Sequence, residues 1–292
     1  MRALAGLLFC SLPVRAADLK IDHVTVAGTN LDLMRQAFYA ASGISTEYGG
    51  RHVNHATEMA VVSFPDGSYI ELMGIVANAD PAAVAAHEWS KFLTSNAGPC
   101  GFALRTTDLA AESATLRAHG ISVGKTTPGG RTRPDGVRLQ WEIADVGPGP
   151  RGSLFPFLIV DGTPRENRVY PGGKPTTDGF HGVGWVVIGV HDLEQAIAQY
   201  RAAFGLPLPR RQTDEHFGAR LAWFEHTPFV LAEGLDGEAW LTRRVHEYGD
   251  GPCAIVLAST GGLRSASEWF GHAIFWTDEA KLGWRLGIEQ LD

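Results

Sequence analysis

Between Leu19 and Gly43 the chain reads LKIDHVTVAGTNLDLMRQAFYAASG. β-branched residues dominate its first part and predict a strand over 21–26. Apolar residues at helical spacing follow and predict a helix, with Asn30 as its cap and Gly43 at its close. The pattern recurs twice. Thr107 is expected to cap a helix ending at Gly120, and Asp192 one ending at Gly205. In all three copies the cap and the closing glycine stand 13 residues apart. A strand precedes each cap, as IDHVTVA, CGFALRT and VGWVVIG. Three such coincidences define an internal repeat.

Each repeat continues into strands. In the first, about 19–75, a polar Gly-rich stretch leads to strands over 59–64 and 68–73, joined by the Pro65-Asp66-Gly67 turn. An insert over 76–98 contains one short helix, 81–93, with Pro81 in its first turn. The second repeat, about 99–162, has strands on either side of a Pro134-Asp135-Gly136 turn and another in GSLFPFLIV. The third, about 180–234, has strands over 219–224 and 228–233. The fourth, about 250–292, opens with Gly-Pro-Cys as the second does, then shortens. The unit is thus βαβββ. Residues 163–179, TPRENRVYPGGKPTTDG, have no periodicity and mark a boundary. The expected division is a leader over 1–17, one module over 18–165, a linker over 166–179 and a second, degenerate module over 180–292.

Composition narrows the function. With 292 residues, 45% of them hydrophobic, the chain can build real cores. Its formal charge of −7 and its lack of a basic, aromatic-rich stretch exclude nucleic acid as a partner. The start, MRALAGLLFCSLPVRAADLK, has a positive residue, an apolar run too short to span a membrane and a small-residue site at Val14-Arg15-Ala16. It reads as an export signal, which predicts a periplasmic or secreted protein. A misplaced start codon would instead leave the protein cytoplasmic. Cys100 and Cys253 each open a strand within Gly-Pro-Cys. They read as small buried residues, with a disulfide open to an exported chain.

IDHVTVAGTNLD, GGRH at 49–52, FPDGSYIEL at 64–72, GFALRTTDL at 101–109 and RTRPDGVRLQW at 131–141 resemble the vicinal oxygen chelate superfamily, and within it the glyoxalase-like domain group. The resemblance is fairly specific over 19–165 and weaker over 180–292. It implies an α+β fold of repeated βαβββ units, two modules whose curled mixed sheets surround a cleft. Relatives often carry Thr-His-Asn after GGRH, where this chain has Thr57-Glu58-Met59.

Two strand residues are out of place on physical grounds. His23 is mid-strand, on the face of Ile21 and Thr25, and Glu71 is on the face of Tyr69 and Met73. A carboxylate in a buried strand is costly unless paired or metal-bound. In the superfamily a first-strand His and a last-strand Glu are metal ligands, and His23 and Glu71 match them. The resemblance therefore implies one divalent metal (Fe, Mn, Zn, Ni or Co) and no organic cofactor. His52 is the third candidate ligand, with His55, Glu58 and His181 as alternatives. In the other repeats, alignment places Gly101 and Trp185 opposite His23, and Pro156 and Leu231 opposite Glu71. With so few family-type ligands, a metal-free hydrogen-bonded or acid/base pair of His23 and Glu71 stays open.

Arg131, Arg133 and Trp141 are candidates for substrate contact, the two arginines for an anionic group. The alternative for the arginines is a solvated loop. The resulting expectation is an enzyme acting on a small oxygenated molecule, as isomerase, lyase or ring-cleaving dioxygenase. The alternative is a non-catalytic protein that sequesters a small ligand. In the enzyme reading the second module closes the cleft. The paired modules predict a monomer without a transmembrane segment.

Overall fold

The structure is a computed structural model that describes residues 19–261 and 267–291. The expected export signal lies outside these residues. No helix among the described residues is long and apolar enough to cross a membrane.

The first half contains β1 (Ile21–Ala27), α1 (Leu31–Ser42), β2 (Glu47–Arg51), β3 (Thr57–Ser63), β4 (Tyr69–Ile75), α2 (Pro81–Ala85), α3 (Ser90–Ser95), β5 (Gly98–Arg105), α4 (Leu109–Ala118), β6 (Thr127–Thr132), β7 (Arg138–Ala144) and β8 (Phe157–Asp161). After α5 (Arg165–Val169) come β9 (Gly182–Gly189), α6 (Leu193–Phe204), β10 (Arg210–Asp214), β11 (Ala219–Trp223), β12 (Phe229–Gly234) and α7 (Trp240–Tyr248). The last unit has β13 (Gly251–Ser259), β14 (Ser267–Trp269), β15 (His272–Trp276), α8 (Glu279–Leu282) and β16 (Arg285–Gln290).

These strands form two eight-stranded mixed sheets, ordered β2-β3-β4-β1-β5-β8-β7-β6 and β10-β11-β12-β9-β13-β16-β15-β14. Each sheet joins two repeat units through their first strands, with β1 antiparallel to β5 and β9 antiparallel to β13. The first three units are βαβββ; in the fourth, among the described residues, the helix is α8, between β15 and β16. Within a unit the first and last strands run parallel, because the helix carries the chain back across one face. The expected α+β repeat architecture is therefore present.

Local chemistry sets the helix ends. Asn30 accepts a hydrogen bond from the Leu33 amide at 3.0 Å, and Asp192 one from Gln195 at 2.9 Å. Gly43 and Gly205 close these helices with φ of 72° and 64°, a region where glycine has no steric penalty. In the second copy the cap is Asp108, not Thr107. The Thr106 hydroxyl accepts the Asp108 amide at 3.0 Å, and Asp108 in turn accepts from Ala111 at 2.9 Å. This local turn moves the helix start by one residue.

The convex faces of both sheets pack with α1, α4 and α6 into one shared core, including Val24, Phe38, Phe102, Val186, Tyr200 and Leu257. The concave face of the second sheet is plugged by Trp185, Phe217, Trp223 and Trp269. The concave face of the first curls until β2 meets β6. Gly50, beside Thr132 and Pro134 at that approach, has φ of 110°, a conformation that a side chain would strain. Cys100 and Cys253 are buried and free.

In the segment expected as a linker, α5 packs Val169 against Met59, Val61 and Tyr69. Two further details depart from expectation. The insert helix over 81–93 is two helices, α2 and α3, separated by residues 86–89. A register shift between Ile21 and His23 turns Ile21 into the core with Val24 and Val26, so it does not share the face of His23.

Candidate active site

The concave face of the first sheet holds a cavity of about 190 Å³. Its floor comes from β1 and β4, whose register sets His23 beside Tyr69 and Thr25 beside Glu71. One face of the pleat therefore carries His23, Thr25, Tyr69, Glu71 and Met73. His52, at the end of β2, reaches in from one side. Arg131 on β6, with Trp141 and Ile143 on β7, forms the other. Phe157 and Ile159 on β8 complete the wall, and His87, Glu88 and Trp89 close it from the insert. Among the described residues none of the second module lines the cavity. The cleft is closed by its own module and by α5, contrary to expectation.

Two imidazoles converge on one carboxylate. His52 Nε2 lies 3.2 Å from Glu71 Oε1, and His23 Nε2 lies 3.8 Å from Glu71 Oε2. The Thr25 hydroxyl donates to Glu71 Oε2 at 3.3 Å. His23 and Glu71 are only 5% and 8% exposed, so bulk water screens them little. Burial pushes the Glu71 carboxyl up, but the hydrogen bond and charge of His52, then the charges of His23 and Arg131, outweigh it and hold the group at about 2.

Each imidazole is held from behind. His23 Nδ1 meets Asp22 Oδ1 at 2.6 Å, and the ring stacks on Tyr69 with centroids 4.8 Å apart. Burial alone would raise the Asp22 carboxyl, yet Arg168 and His23 keep it well below the usual range. An ionised Asp22 accepts the His23 Nδ1 proton, so Nε2 is the nitrogen that faces the cavity. His52 Nδ1 meets Thr57 Oγ1 at 2.7 Å. That hydroxyl can donate or accept, so His52 can hold its proton on either nitrogen.

Beneath the histidine floor lies a buried ion network. Arg168 donates to Asp22 Oδ1 and Oδ2 at 2.9 and 2.8 Å, to Tyr69 OH at 2.8 Å and to Asp161 Oδ1 at 2.5 Å. Arg165 also reaches Asp22, and Asp161 at 3.0 Å. Burial opposes the Arg168 charge, but Asp22 holds it well above the ordinary range. Burial likewise raises the Tyr69 hydroxyl, which stays neutral.

The insert adds a third imidazole. His87 Nδ1 accepts the Trp89 amide at 3.1 Å, which puts its proton on Nε2. Burial, then the charge of His52, pushes His87 down. Trp89 donates from Nε1 to the Arg151 carbonyl at 3.2 Å. Its ring fills the space above Gly101, where a Cβ would come within 2.6 Å of Cζ2.

The sequence-derived residues divide clearly. His23, Glu71, His52, Arg131 and Trp141 all line the cavity. Arg133 does not: it pairs with Asp135 and donates to the carbonyls of Asn167 at 3.0 Å and Pro171 at 2.6 Å. Glu58 accepts from Tyr48 OH at 2.9 Å, and His55 occupies a turn with φ of 57°. His181 uses its backbone to tie Asp66 to Ala258. None of these three lines the cavity. Register also corrects the repeat alignment. The counterpart of Glu71 is Phe157 in the second unit, where it pairs with Ala103, and Val230 in the third, where it pairs with Val187. Pro156 and Leu231 are each one residue off. Sequence reasoning missed Arg168, His87 and Trp89. The polar-aromatic His87-Glu88-Trp89 within an Ala-rich insert was the available signal for the last two.

Among the described residues no three His, Cys, Asp or Glu side chains form a ready-made metal cage. The separations of 3.2 and 3.8 Å from Glu71 to the two imidazoles nonetheless suit neighbouring ligands around an ion bound at about 2.0–2.2 Å. Both Nδ1 atoms have the oxygen partners that ligating imidazoles need. The donor set thus fits a divalent cation, once His52 moves its shared proton to Nδ1.

The family described as Glyoxalase-like domain matches residues 21–185. A hypothetical protein from Staphylococcus aureus has a similar structure, with TM-score 0.64 and 15% identity over 94% of this chain and 100% of that one. A mutant 4-hydroxymandelate synthase from Streptomyces coelicolor is similar at TM-score 0.56 and 12% identity, over 83% of this chain and 71% of that one. At these identities both likenesses concern the fold alone. No curated protein sequence matches the chain.

Proposed function

Since this chain belongs to the glyoxalase-like domain family, we propose that the cavity of its first sheet is an active site for a small oxygenated molecule. The observation that carries this reading is the convergence of His23 Nε2 and His52 Nε2 on buried Glu71. An isomerase, lyase or ring-cleaving dioxygenase would each use it, because each must stabilise an enolate or a bound oxygen anion. His23, His52 and Glu71 would hold a divalent cation, which when bound supplies a Lewis acid for a substrate oxygen.

A carboxylate held near 2 is a weak proton acceptor at neutral pH, which favours a ligand role for Glu71 over a general base. His87 presents an Nε2 proton and can donate it in a hydrogen bond to a substrate oxygen. Trp89 and Phe157 exclude water. Asp22 orients His23, and Arg168 with Arg165 orients Asp22.

The test is metal analysis of protein loaded separately with Fe, Mn, Zn, Ni and Co. Occupancy should approach one ion per chain and fall sharply in His23→Ala, His52→Ala and Glu71→Gln. The reading fails if the wild type takes up no ion and neither His23→Ala nor Glu71→Gln alters ligand binding or turnover. Ligand binding that depends on these residues without turnover would favour a sequestering protein.

A further inference from the structure

We infer that the molecule taken by this cavity is a small planar carboxylic acid whose carboxylate is held by Arg131. The inference rests on the cavity being a small-molecule site. It adds the substrate's charge, its size and its orientation.

Arg131 is only 5% exposed, yet no carboxylate among the described residues lies within ion-pairing distance of it. Its recorded acceptors are two carbonyl oxygens, of Gly49 and, at 3.4 Å, of Arg168. A guanidinium has five N–H donors, so three remain for a ligand. The other arginines lining the cavity are neutralised. Arg168 is paired with Asp22 and Asp161, and Arg151 with Asp145 and Glu88. Glu71 acts on this charge from beyond ion-pairing distance; a buried guanidinium with unfilled donors is completed by an anion, and its fork matches a carboxylate through two parallel hydrogen bonds.

The walls define the rest of the molecule. Tyr69, Trp89, Trp141 and Phe157 present aromatic surface, which suits a flat ring. The volume of about 190 Å³ lies below the roughly 300–1,000 Å³ of drug-sized sites, so the part of the ligand held inside is about one ring with its acid group. Glu71 repels a carboxylate from the histidine end. The acid group therefore goes to Arg131, and the reacting oxygen faces His23, His52 and His87.

Arg131 also has a structural duty, because its bond to the Gly49 carbonyl ties β6 to β2. The experiment separates the two roles. Calorimetric titration of metal-free protein uses benzoate, salicylate and phenylpyruvate, with benzamide as the neutral isostere of benzoate. At least one acid should saturate, and benzoate should bind about tenfold or more tighter than benzamide. Arg131→Gln should abolish that preference while leaving benzamide affinity in place. Arg131→Lys keeps the charge and the tie to Gly49 but loses the fork, and should weaken the acids about fivefold or more. If Arg131→Gln does not fold, the wild-type preference and Arg131→Lys decide. Equal affinity for benzoate and benzamide, no saturation by any acid at millimolar concentration, or a folded Arg131 variant with wild-type preference would overturn the inference. Because the protein is metal-free, such a failure leaves the metal and turnover test standing, and failure of that test leaves this one interpretable.

Discussion

His52 Nε2 and Glu71 Oε1 are 3.2 Å apart, and this contact lets a carboxylate stay ionised inside a strand. Burial favours the protonated acid. The imidazole reverses that preference and draws the carboxyl from 4.5 to about 2. The folded chain thus binds this proton less readily than the unfolded chain. The associated stabilisation, roughly 3 kcal/mol, is complete above about pH 4.5 and is lost as pH falls toward about 2. Thermal denaturation followed from pH 6 to pH 2 should show this loss in the wild type and a shallower slope in Glu71→Gln. Parallel curves for the two proteins would contradict the assignment.

The Arg168–Asp22 pair is the second test. Asp22 is fully buried, and Arg168 contributes two hydrogen bonds to it. Arg168→Met leaves Asp22 with only Arg165 and His23, and should lower stability by about 3 kcal/mol. Adding Asp22→Asn should recover part of that loss, because it removes the charge left behind. Urea denaturation of the two single variants and the double variant measures the coupling. Strict additivity would mean that the pair does not act as a unit.

Gly101 and Trp89 share one volume. A methyl group at position 101 would meet Trp89 Cζ2 at 2.6 Å and the Arg151 carbonyl oxygen at 3.1 Å. Gly101→Ala should push the Trp89 ring outward, open the cavity and destabilise by about 1–3 kcal/mol. Tryptophan fluorescence should shift to the red relative to the wild type, and the shift should vanish in a Trp89→Phe background. An unchanged spectrum would mean that the insert does not seal the site there.

The shared core predicts the oligomeric state. The convex faces of both sheets are buried against α1, α4 and α6, and the second concave face is filled by tryptophans. Among the described residues neither convex face is left for a second chain to cover, so the protein should sediment as a monomer. A dimer mass that persists on dilution would contradict this.

The repeat was legible because its signals are local. A capping Asn or Asp, a closing glycine and a run of β-branched residues act over a few positions. His23 and Glu71 stood out for a similar reason, since a charged or titratable side chain in an apolar strand needs a partner wherever the strand goes. Pairing register is different. It depends on which strands meet, and a one-residue slip exchanges the two faces of a sheet. That is why Pro156 and Leu231 stood where Phe157 and Val230 belong.

The sequence by itself determined the repeating unit, the family likeness and two residues of the floor, because these follow from short-range preferences and the cost of burying charge. Only the tertiary structure decided that His52 meets Glu71, that among the described residues Arg131 has no ion-pair contact while Arg133 has one, and that Trp89 occupies the space above Gly101. Each depends on segments distant in the chain being brought together by the curl of one sheet, and no local pattern encodes that closure.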